Sequence, residues 1–300
     1  MKGIVSKSTG SWYKVLLDDK EVDARLRGVL RTRNLKSTNP VVVGDIVNLD
    51  FIDDEYLIKD IEERHNCIVR KSNKLSKQHQ LIAANLDLAL LVVSPATPYT
   101  PQGFIDRFLV TAEAYHIPVI ILINKKDIDK KKANSHRETL LNLYSKIGYK
   151  TLNVSFFEQE DIDQIKTEIS NKTVLISGNS GVGKSTLINQ LDPSLNQKIG
   201  KISKSYNKGQ HTTTFAQMFV LNNNIRIIDT PGIKDFGIVN MDKNQVSHFF
   251  PEMRDLLHQC KFSNCLHVNE PKCAVIEALQ EEKIEETRYL SYLSILEELA

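Results

Sequence analysis

The stretch that decides the fold is Gly178-Asn179-Ser180-Gly181-Val182-Gly183-Lys184-Ser185, a complete G-x-x-x-x-G-K-S sequence. An apolar strand, Thr173–Ser177, precedes it, and a helix-length segment follows it to Leu191, which is the context that a phosphate-binding loop requires. Glycines let such a loop curl so that its amide hydrogens face phosphate oxygens, and the following helix adds a favourable dipole. The stretch therefore predicts a P-loop. In it Lys184 neutralises the β and γ phosphates, Ser185 ligates Mg²⁺, and Thr186 lies beside them.

A second motif indicates which base is bound. Asn124-Lys125-Lys126-Asp127 follows the apolar strand Pro118–Ile123, at the strand end where α/β sheets bind ligands. Guanine presents two adjacent donors that one carboxylate, Asp127, can accept, whereas adenine offers no such pair. Asn124 can tether neighbouring loops, and the Lys125 stem can cover the base face. The motif predicts a guanine nucleotide, GTP or GDP, with Mg²⁺.

Two further motifs suit the γ-phosphate and its metal. Asp229-Thr230-Pro231-Gly232 follows an apolar strand, Ile225–Ile228. We expect Asp229 to reach Mg²⁺ through water and the Gly232 amide to meet the γ-phosphate. Between this motif and the P-loop lies Gly209-Gln210-His211-Thr212-Thr213-Thr214, a run of hydroxyls where a GTPase needs a threonine on Mg²⁺. Thr213 and Thr214 both fit; Thr213 is the working assignment, and the sequence does not separate them.

These motifs occur in an unusual order. Ordinary GTPases carry the P-loop first, and N-K-x-D last. Here Asn124-Lys125-Lys126-Asp127 precedes the P-loop, as a circular permutation that retains the fold would place it, because domain termini commonly lie close together. The chain then leaves the nucleotide domain directly after switch II, Gly232 to Gly237, so nucleotide state can act on the C-terminal region without an intermediary.

Around these motifs the pattern predicts a multi-domain α/β protein. Residues 1–68 contain five short extended runs, Gly3–Lys7, Trp12–Leu17, Glu21–Leu30, Val41–Leu49 and Tyr56–Ile61. They indicate a small OB-like β-barrel, although a different small barrel is also compatible with five strands. From residue 80, strands alternate with helix-length segments, which indicates a mainly parallel sheet. The predicted domains are an OB-like RNA-binding barrel (1–69), a circularly permuted GTPase domain (70–238) and a mainly helical zinc-binding domain (239–300).

A cysteine cluster indicates the metal. Cys260-x4-Cys265-x-His267-x5-Cys273 offers three sulfurs and one imidazole, and four such ligands suit a closed tetrahedral zinc, structural because no position stays open for water. Buried reduced cysteines are the alternative, and His258 is a nearby competing ligand. We expect one zinc ion per chain.

Charge and hydropathy indicate the class of binding partner and the cellular location. The 300 residues carry a net charge of +2, but acid-free basic stretches occur at 24–37 and 70–79, and Lys198, Lys201, Lys204 and Lys208 form a third. Three such patches favour a phosphate-rich partner. No apolar run is long enough for a membrane span and the N-terminus does not look like a secretory signal. We expect a cytoplasmic monomer.

The whole chain resembles the RsgA family of circularly permuted GTPases, ribosome small-subunit-dependent GTPase A. The resemblance rests on the barrel, the motif order, G-x-H-T-T-T, D-T-P-G and the cysteine motif. It implies GTP hydrolysis stimulated by the small ribosomal subunit, binding to that subunit's rRNA, and a role in late subunit maturation. The chain departs from the family at three positions: Gln210 for the usual Arg, Asn179 for Gln, and Phe156 after Ser155 where a guanine-contacting S-A pair is usual.

The hydrolytic water has no obvious partner after D-x-x-G. Ras-like enzymes carry a glutamine there, whereas this chain has Ile233. This difference predicts slow intrinsic GTP turnover and strong activation by a partner that completes the site. His211 is the candidate for positioning the water, since the family shares a histidine there; a solvent-facing loop histidine is the alternative. Two other functions stay open: a nucleotide-gated rRNA-binding adaptor with incidental hydrolysis, and an ATP-using kinase or transport ATPase.

Overall fold

The computed structural model describes residues 1–9, 12–18, 20–27, 40–71, 79–195, 216–229 and 241–299. Two compact units are distinguished. The first contains Met1–Ala89, Phe156–Ser177 and Gly183–Asp235, and the second contains Leu90–Ser155, Gly178–Val182 and Phe236–Ala300. Each unit is described by itself.

Strands dominate the first half of the chain and helices the second. The strands are β1 (Lys2–Ser8), β2 (Tyr13–Leu17), β3 (Lys20–Leu26), β4 (Ile46–Ile52), β5 (Glu55–Ile61), β6 (Cys67–Lys71), β7 (His79–Ala84), β8 (Leu88–Val93), β9 (Val119–Ile123), β10 (Lys150–Asn153), β11 (Thr173–Ser177), β12 (Gln217–Val220) and β13 (Arg226–Asp229). The α-helices are α1 (Gln102–Ala114), α2 (Lys131–Ile147), α3 (Gln159–Ile169), α4 (Lys184–Leu191), α5 (Pro251–Arg254), α6 (Ala274–Gln280) and α7 (Glu286–Glu298). Short 3₁₀ segments cover Pro193–Leu195, Asn222–Asn224, Lys243–Phe249 and Leu257–Gln259.

The first unit begins with a closed five-strand barrel. Strand β1 pairs antiparallel with β2 and with β4, β2 pairs antiparallel with β3, β3 pairs in parallel with β5, and β5 returns antiparallel to β4. Alternate residues of these strands fill the interior, as the period of two requires, among them Val5, Val15, Val47 and Ile58. The predicted N-terminal five-strand barrel is confirmed.

The run Val41–Leu49 was expected to be one strand, but β4 begins only at Ile46. Gly44 has φ +90°, a left-handed conformation that interrupts a strand. The fully buried Asp45 carboxylate accepts the Val42 amide at 2.8 Å and pairs with the Arg64 guanidinium at 2.6 Å. Its charge is therefore satisfied inside the turn, which keeps residues 41–45 out of the strand.

The same sheet extends from the barrel into the nucleotide-binding part of the unit. Strand β12 pairs antiparallel with β1 at Lys7↔Gln217 and with β13, and β13 pairs in parallel with β11. Neither β12 nor the antiparallel pair of β6 and β7 was among the strands predicted from the sequence.

The second unit holds parallel strands flanked by helices. Strand β10 pairs in parallel with β9, with Leu152 opposite Leu122. Where β8 and β9 end, the backbone N–H of Asn124 donates to the Val93 carbonyl at 2.9 Å. All six residues of β8 are buried, as expected of a strand covered on both faces. The predicted mainly parallel sheet is confirmed. Strands β8, β9 and β10 are one to three residues shorter than the strands predicted from the sequence.

A buried ion network joins the C-terminal helix to the rest of this unit. Arg288 and Asp106 are both fully buried. The guanidinium of Arg288 donates to Asp106 at 2.7 Å and to Glu252 at 2.7 Å, and the hydroxyl of Tyr144 donates to Asp106 at 2.7 Å. Burial alone would lower the pKa of Arg288, but the two carboxylates raise it above its usual range. The network therefore joins α7 to α1, α2 and α5.

The buried network predicts that removing Arg288 destabilises this unit far more than breaking an exposed ion pair does. Arg288→Ala leaves Asp106 buried and uncompensated, which costs about 3–5 kcal/mol. Hydrogen–deuterium exchange in α1 and α7 should therefore rise by about two to four orders of magnitude. Lys146→Ala, which removes an exposed pair with Glu285 at 3.4 Å, should change exchange by less than tenfold. Equal exchange in the two variants would contradict a stabilising role for the buried pair.

Candidate functional site

The phosphate-binding loop follows β11 and ends where α4 begins. Gly178 has φ +144°, and a Cβ on it would lie 2.2 Å from the carbonyl oxygen of Val92, so no other residue fits without displacing backbone. Gly183 has φ +112° and caps α4, whose first residue is Lys184. Both glycines are thus required by backbone geometry. The Lys184 backbone stands at the positive end of a helix dipole, as a phosphate site needs.

The Asn124 side chain connects the N-K-x-D loop to the P-loop. Its amide donates to the carbonyl of Val182 at 2.8 Å across 58 residues of sequence, and Asn124 and Val182 are both buried. A buried hydrogen bond of this kind fixes two loops in one geometry, because breaking it leaves unsatisfied polar groups. The tether expected of Asn124 is present, even though the two motifs occur in permuted order.

Asp127 is held from the loop that follows β10. The hydroxyl of Ser155 donates to Asp127 Oδ1 at 2.8 Å, and the Lys126 amide donates to the Val154 carbonyl at 3.1 Å. Ser155 is fully buried and Asp127 is exposed, so the carboxylate is oriented from behind while remaining accessible. Phe156 is 1% exposed and belongs to the core. The departure from the family pattern at Phe156 therefore leaves the serine contact intact.

Arg137 is a positioning residue that sequence reasoning missed. Its guanidinium donates to the carbonyls of Lys125 at 3.0 Å and Ile128 at 3.2 Å, which flank Asp127 on both sides. Arg137 is 9% exposed. In the sequence it is one of several charged residues of an amphipathic helix, which is typical of a solvated face, so no local signal distinguishes it.

The other predicted nucleotide residues are less fully described. Lys125 Nζ donates to the Thr97 carbonyl at 2.7 Å, and Ser185 and Thr186 lie in the first turn of α4. Asp229 ends β13, and only its backbone is described. His211, Thr213, Thr214 and Gly232 lie outside the described residues. Their roles stay predictions.

The four predicted metal ligands converge. His267 Nδ1 lies 3.2 Å from Cys273 Sγ and 3.6 Å from Cys260 Sγ, the two sulfurs are 4.0 Å apart, and Cys265 completes a set within 4.8 Å. Tetrahedral zinc with bonds of about 2.3 Å to sulfur and 2.0 Å to nitrogen sets ligands about 3.5–3.8 Å apart. The donor set therefore fits zinc, and His258 is not part of it.

Burial shifts the pKa values of two of these ligands. Burial lowers the pKa of His267, which keeps the imidazole neutral as a metal ligand must be. Burial also raises the pKa of the Cys265 thiol to about 12, so the thiolate there needs a cation to form.

The loop that carries the ligands is held by neighbouring groups. The Glu270 carboxylate accepts the amides of Leu266, Val268 and Asn269 at 2.7–3.1 Å. From α7, the hydroxyl of Tyr289 donates to the His267 carbonyl at 2.7 Å. The ligand loop is therefore shaped by its own carboxylate and anchored to the C-terminal helix.

Among the helices in the described part of the chain, none is both long and apolar enough to cross a membrane.

Comparisons with known proteins give one answer. The family described as "RsgA GTPase" matches residues 61–239, and the "RsgA N-terminal domain" matches residues 2–56. Proteins from Christiangramia forsetii and Flavobacterium johnsoniae, both named small ribosomal subunit biogenesis GTPase RsgA, are 47% and 49% identical; each alignment covers 99% of this chain and 96% and 93% of theirs.

Solved structures agree over the full length. YjeQ from Thermotoga maritima superposes with a TM-score of 0.82 at 30% identity, covering 99% of this chain and 98% of its own. YloQ, described as a circularly permuted GTPase, gives 0.78 at 28% identity over 99% and 94%. This chain belongs to the RsgA family of GTPases.

Proposed function

We propose that this protein hydrolyses GTP while bound to the small ribosomal subunit, late in the maturation of that subunit, and that the subunit stimulates hydrolysis. Membership in the RsgA GTPase family supports the enzyme class. The printed names of its relatives, small ribosomal subunit biogenesis GTPases, support the partner. A GTP-bound form would bind the subunit, and hydrolysis to GDP would release it.

The observation that carries the proposal is the 2.8 Å hydrogen bond from Asn124 to Val182. It places the guanine-selective loop against the P-loop, so one nucleotide can use both. Asp127, oriented by Ser155, is the group that would accept the two guanine donors. We assign Lys125 and Lys126 to the surroundings of the base, with the Lys125 stem against its face.

The phosphates would be bound by residues 178–186. Their amides and Lys184 neutralise the charge that develops on the β and γ phosphates. Mg²⁺ supplies charge stabilisation and orients the γ-phosphate when it is bound. Ser185, at the start of α4, fits as one ligand. We assign Thr213, with Thr214 as the alternative, to the second, Asp229 to an outer-sphere role, and the Gly232 amide to the γ-phosphate.

The catalytic machinery would be complete only when the subunit is bound. Ile233 stands where Ras-like enzymes carry the water-orienting glutamine, and an alkyl side chain cannot hydrogen-bond water. We propose that His211 orients the water when the protein is bound to the subunit. This division explains why hydrolysis would be slow in the free protein and fast on the subunit.

The contacts with rRNA would come from the barrel and the metal region. On the barrel, the Arg25 guanidinium lies 3.9 Å from the centre of the Trp12 ring, and both side chains are exposed. An arginine stacked on an exposed aromatic ring suits a phosphate backbone and an unpaired base. We assign zinc at Cys260, Cys265, His267 and Cys273, one ion per chain, a structural role that holds the C-terminal surface in shape.

The first test exchanges the base preference. Asp127→Asn replaces a carboxylate that accepts two hydrogen bonds from guanine with an amide that can pair with xanthine. The ratio of kcat/KM for GTP to kcat/KM for xanthosine triphosphate should therefore fall by about 10²-fold or more. Turnover of both nucleotides by purified protein measures the shift. Asp129→Asn, an exposed carboxylate two residues further along, is the matched control and should leave the preference unchanged. An unaltered preference in Asp127→Asn would remove the carboxylate from base selection.

The second test measures phosphate release from GTP and ATP, with and without purified small subunits. GTP turnover should rise by about 10²–10³-fold with subunits, the effect of supplying one catalytic group, and His211→Ala should abolish most of that rise. ATP turnover should stay at background. Nucleotide-dependent binding without stimulation would instead indicate an adaptor, and a preference for ATP would indicate a kinase or transport ATPase. Full stimulation of His211→Ala would exclude His211 from the mechanism.

The third test concerns the metal. Freshly purified protein should contain about one zinc ion per chain, and Cys265→Ser should contain far less and exchange hydrogen faster over residues 257–273, because a structural zinc site contributes folding free energy. Cys67→Ser, which changes the cysteine outside the cluster, is the control and should retain the ion. Zinc-free wild-type protein with unchanged exchange would contradict the assignment.

A further inference from the structure

A cavity of about 570 Å³ lies in the second unit, beyond the ends of β8 and β9. One wall is the segment that follows β8, and the other is the beginning of α2. Buried Pro95 and Ala133 supply apolar surface. Tyr99 stands at the rim with 46% of its surface exposed, and its ring lies 4.9 Å from the His136 ring. The cavity therefore offers a flat aromatic surface beside an apolar floor.

The charge on this cavity is positive. Lys130 and Lys132 line it, and among the described residues of its lining there is no carboxylate. Both lysines are exposed and lie at the beginning of α2, whose first turn contains no acidic residue. Cations at a helix N-terminus are repelled by the helix dipole. An anion bound between them would relieve that repulsion, so the wall is suited to phosphate.

The cavity is adjacent to the proposed GTP site but separate from it. None of the residues lining it belongs to the P-loop or to Asn124-Lys125-Lys126-Asp127. Its outer segment nevertheless contacts both: Lys125 Nζ donates to the Thr97 carbonyl at 2.7 Å, and a Cβ on Gly181 would lie 3.0 Å from Pro98. An occupant would therefore rest on the chain segment that supports both nucleotide loops.

We propose that this cavity binds one unpaired nucleotide of an RNA strand, with the base stacked on Tyr99 and a phosphate between Lys130 and Lys132. Its volume is within the range of about 300–1,000 Å³ typical of small-ligand sites. The inference rests on the proposed function for its RNA partner. A stacking ring beside lysines is how proteins hold single-stranded RNA with little base preference.

A strand fits better than a free nucleotide. Thr97, Pro98 and Tyr99 are all exposed, so the rim gives a polymer room to enter and leave. Lys131 continues the positive edge from the cavity along α2 and is also exposed, which provides for a neighbouring phosphate.

The test uses the full chain and a hexaribonucleotide with 2-aminopurine at one central position. Binding should quench the fluorescence of the stacked base. Tyr99→Ala should weaken binding by about 5- to 150-fold and remove most of the quenching, because stacking contributes about 1–3 kcal/mol per base. Tyr99→Phe retains the ring and should behave like the wild type.

The phosphate contact is tested by salt dependence. Lys130→Gln and Lys132→Gln should each reduce the slope of log affinity against log salt by about 0.7, the value for one single-strand phosphate contact. Lys166→Gln, which changes a lysine of α3 that does not line the cavity, is the control and should leave the slope unchanged.

Two results would overturn the proposal: unchanged affinity and quenching in Tyr99→Ala, or displacement of the oligonucleotide by AMP at equal concentration, which would make the ligand a free nucleotide.

Basal GTP turnover in Tyr99→Ala should equal that of the wild type. If the wild type binds the oligonucleotide as predicted but subunits do not stimulate its GTP turnover, the proposed function fails while this site stands. If subunits stimulate GTP turnover but the oligonucleotide fluorescence is not quenched, this site fails while the proposed function stands.

Discussion

The hydrogen bond between the Asn124 amide and the Val182 carbonyl is the constraint on which the functional interpretation depends. The two motifs that it joins lie in reversed order along the chain, and proximity in sequence cannot bring them together. Each motif follows the carboxyl end of a parallel strand, which is where α/β proteins bind ligands. Gly178, against the Val92 carbonyl, lets the P-loop come close enough for this bond. The folded chain therefore brings Asn124 and Val182 together although the order of the motifs is reversed.

The parts of the site that could be predicted from sequence are those whose chemistry is local. The P-loop needs glycines at fixed spacing, and a strand before it together with a helix after it confirms the motif. The candidate metal ligands lie within one short segment, Cys260 to Cys273, so their residue types and spacing indicate a metal site, and the converging side chains are consistent with zinc. The buried strand β8 is apolar throughout, so it can be recognised from the sequence alone.

The parts that could not be predicted depend on partners distant in sequence. Strand β12 has four residues and is defined by pairing with β1 and β13, and nothing in its own pattern distinguishes it from a loop. Arg137 and Arg288 have the character of solvent-exposed helix residues, yet both are buried because carbonyls or carboxylates from other elements accept hydrogen bonds from their guanidinium groups. Charge in a sequence indicates a solvated face until a buried partner is known.

The most direct measurement of the central claim is a crystal structure of this protein with Mg²⁺ and a non-hydrolysable GTP analogue. The account predicts that the two donors of guanine, its ring N–H and its 2-amino group, lie within hydrogen-bonding distance of the Asp127 carboxylate, while the phosphates of the same molecule contact the amides of residues 178–185. Phosphates bound at the P-loop with the guanine ring directed away from Asp127 would contradict it.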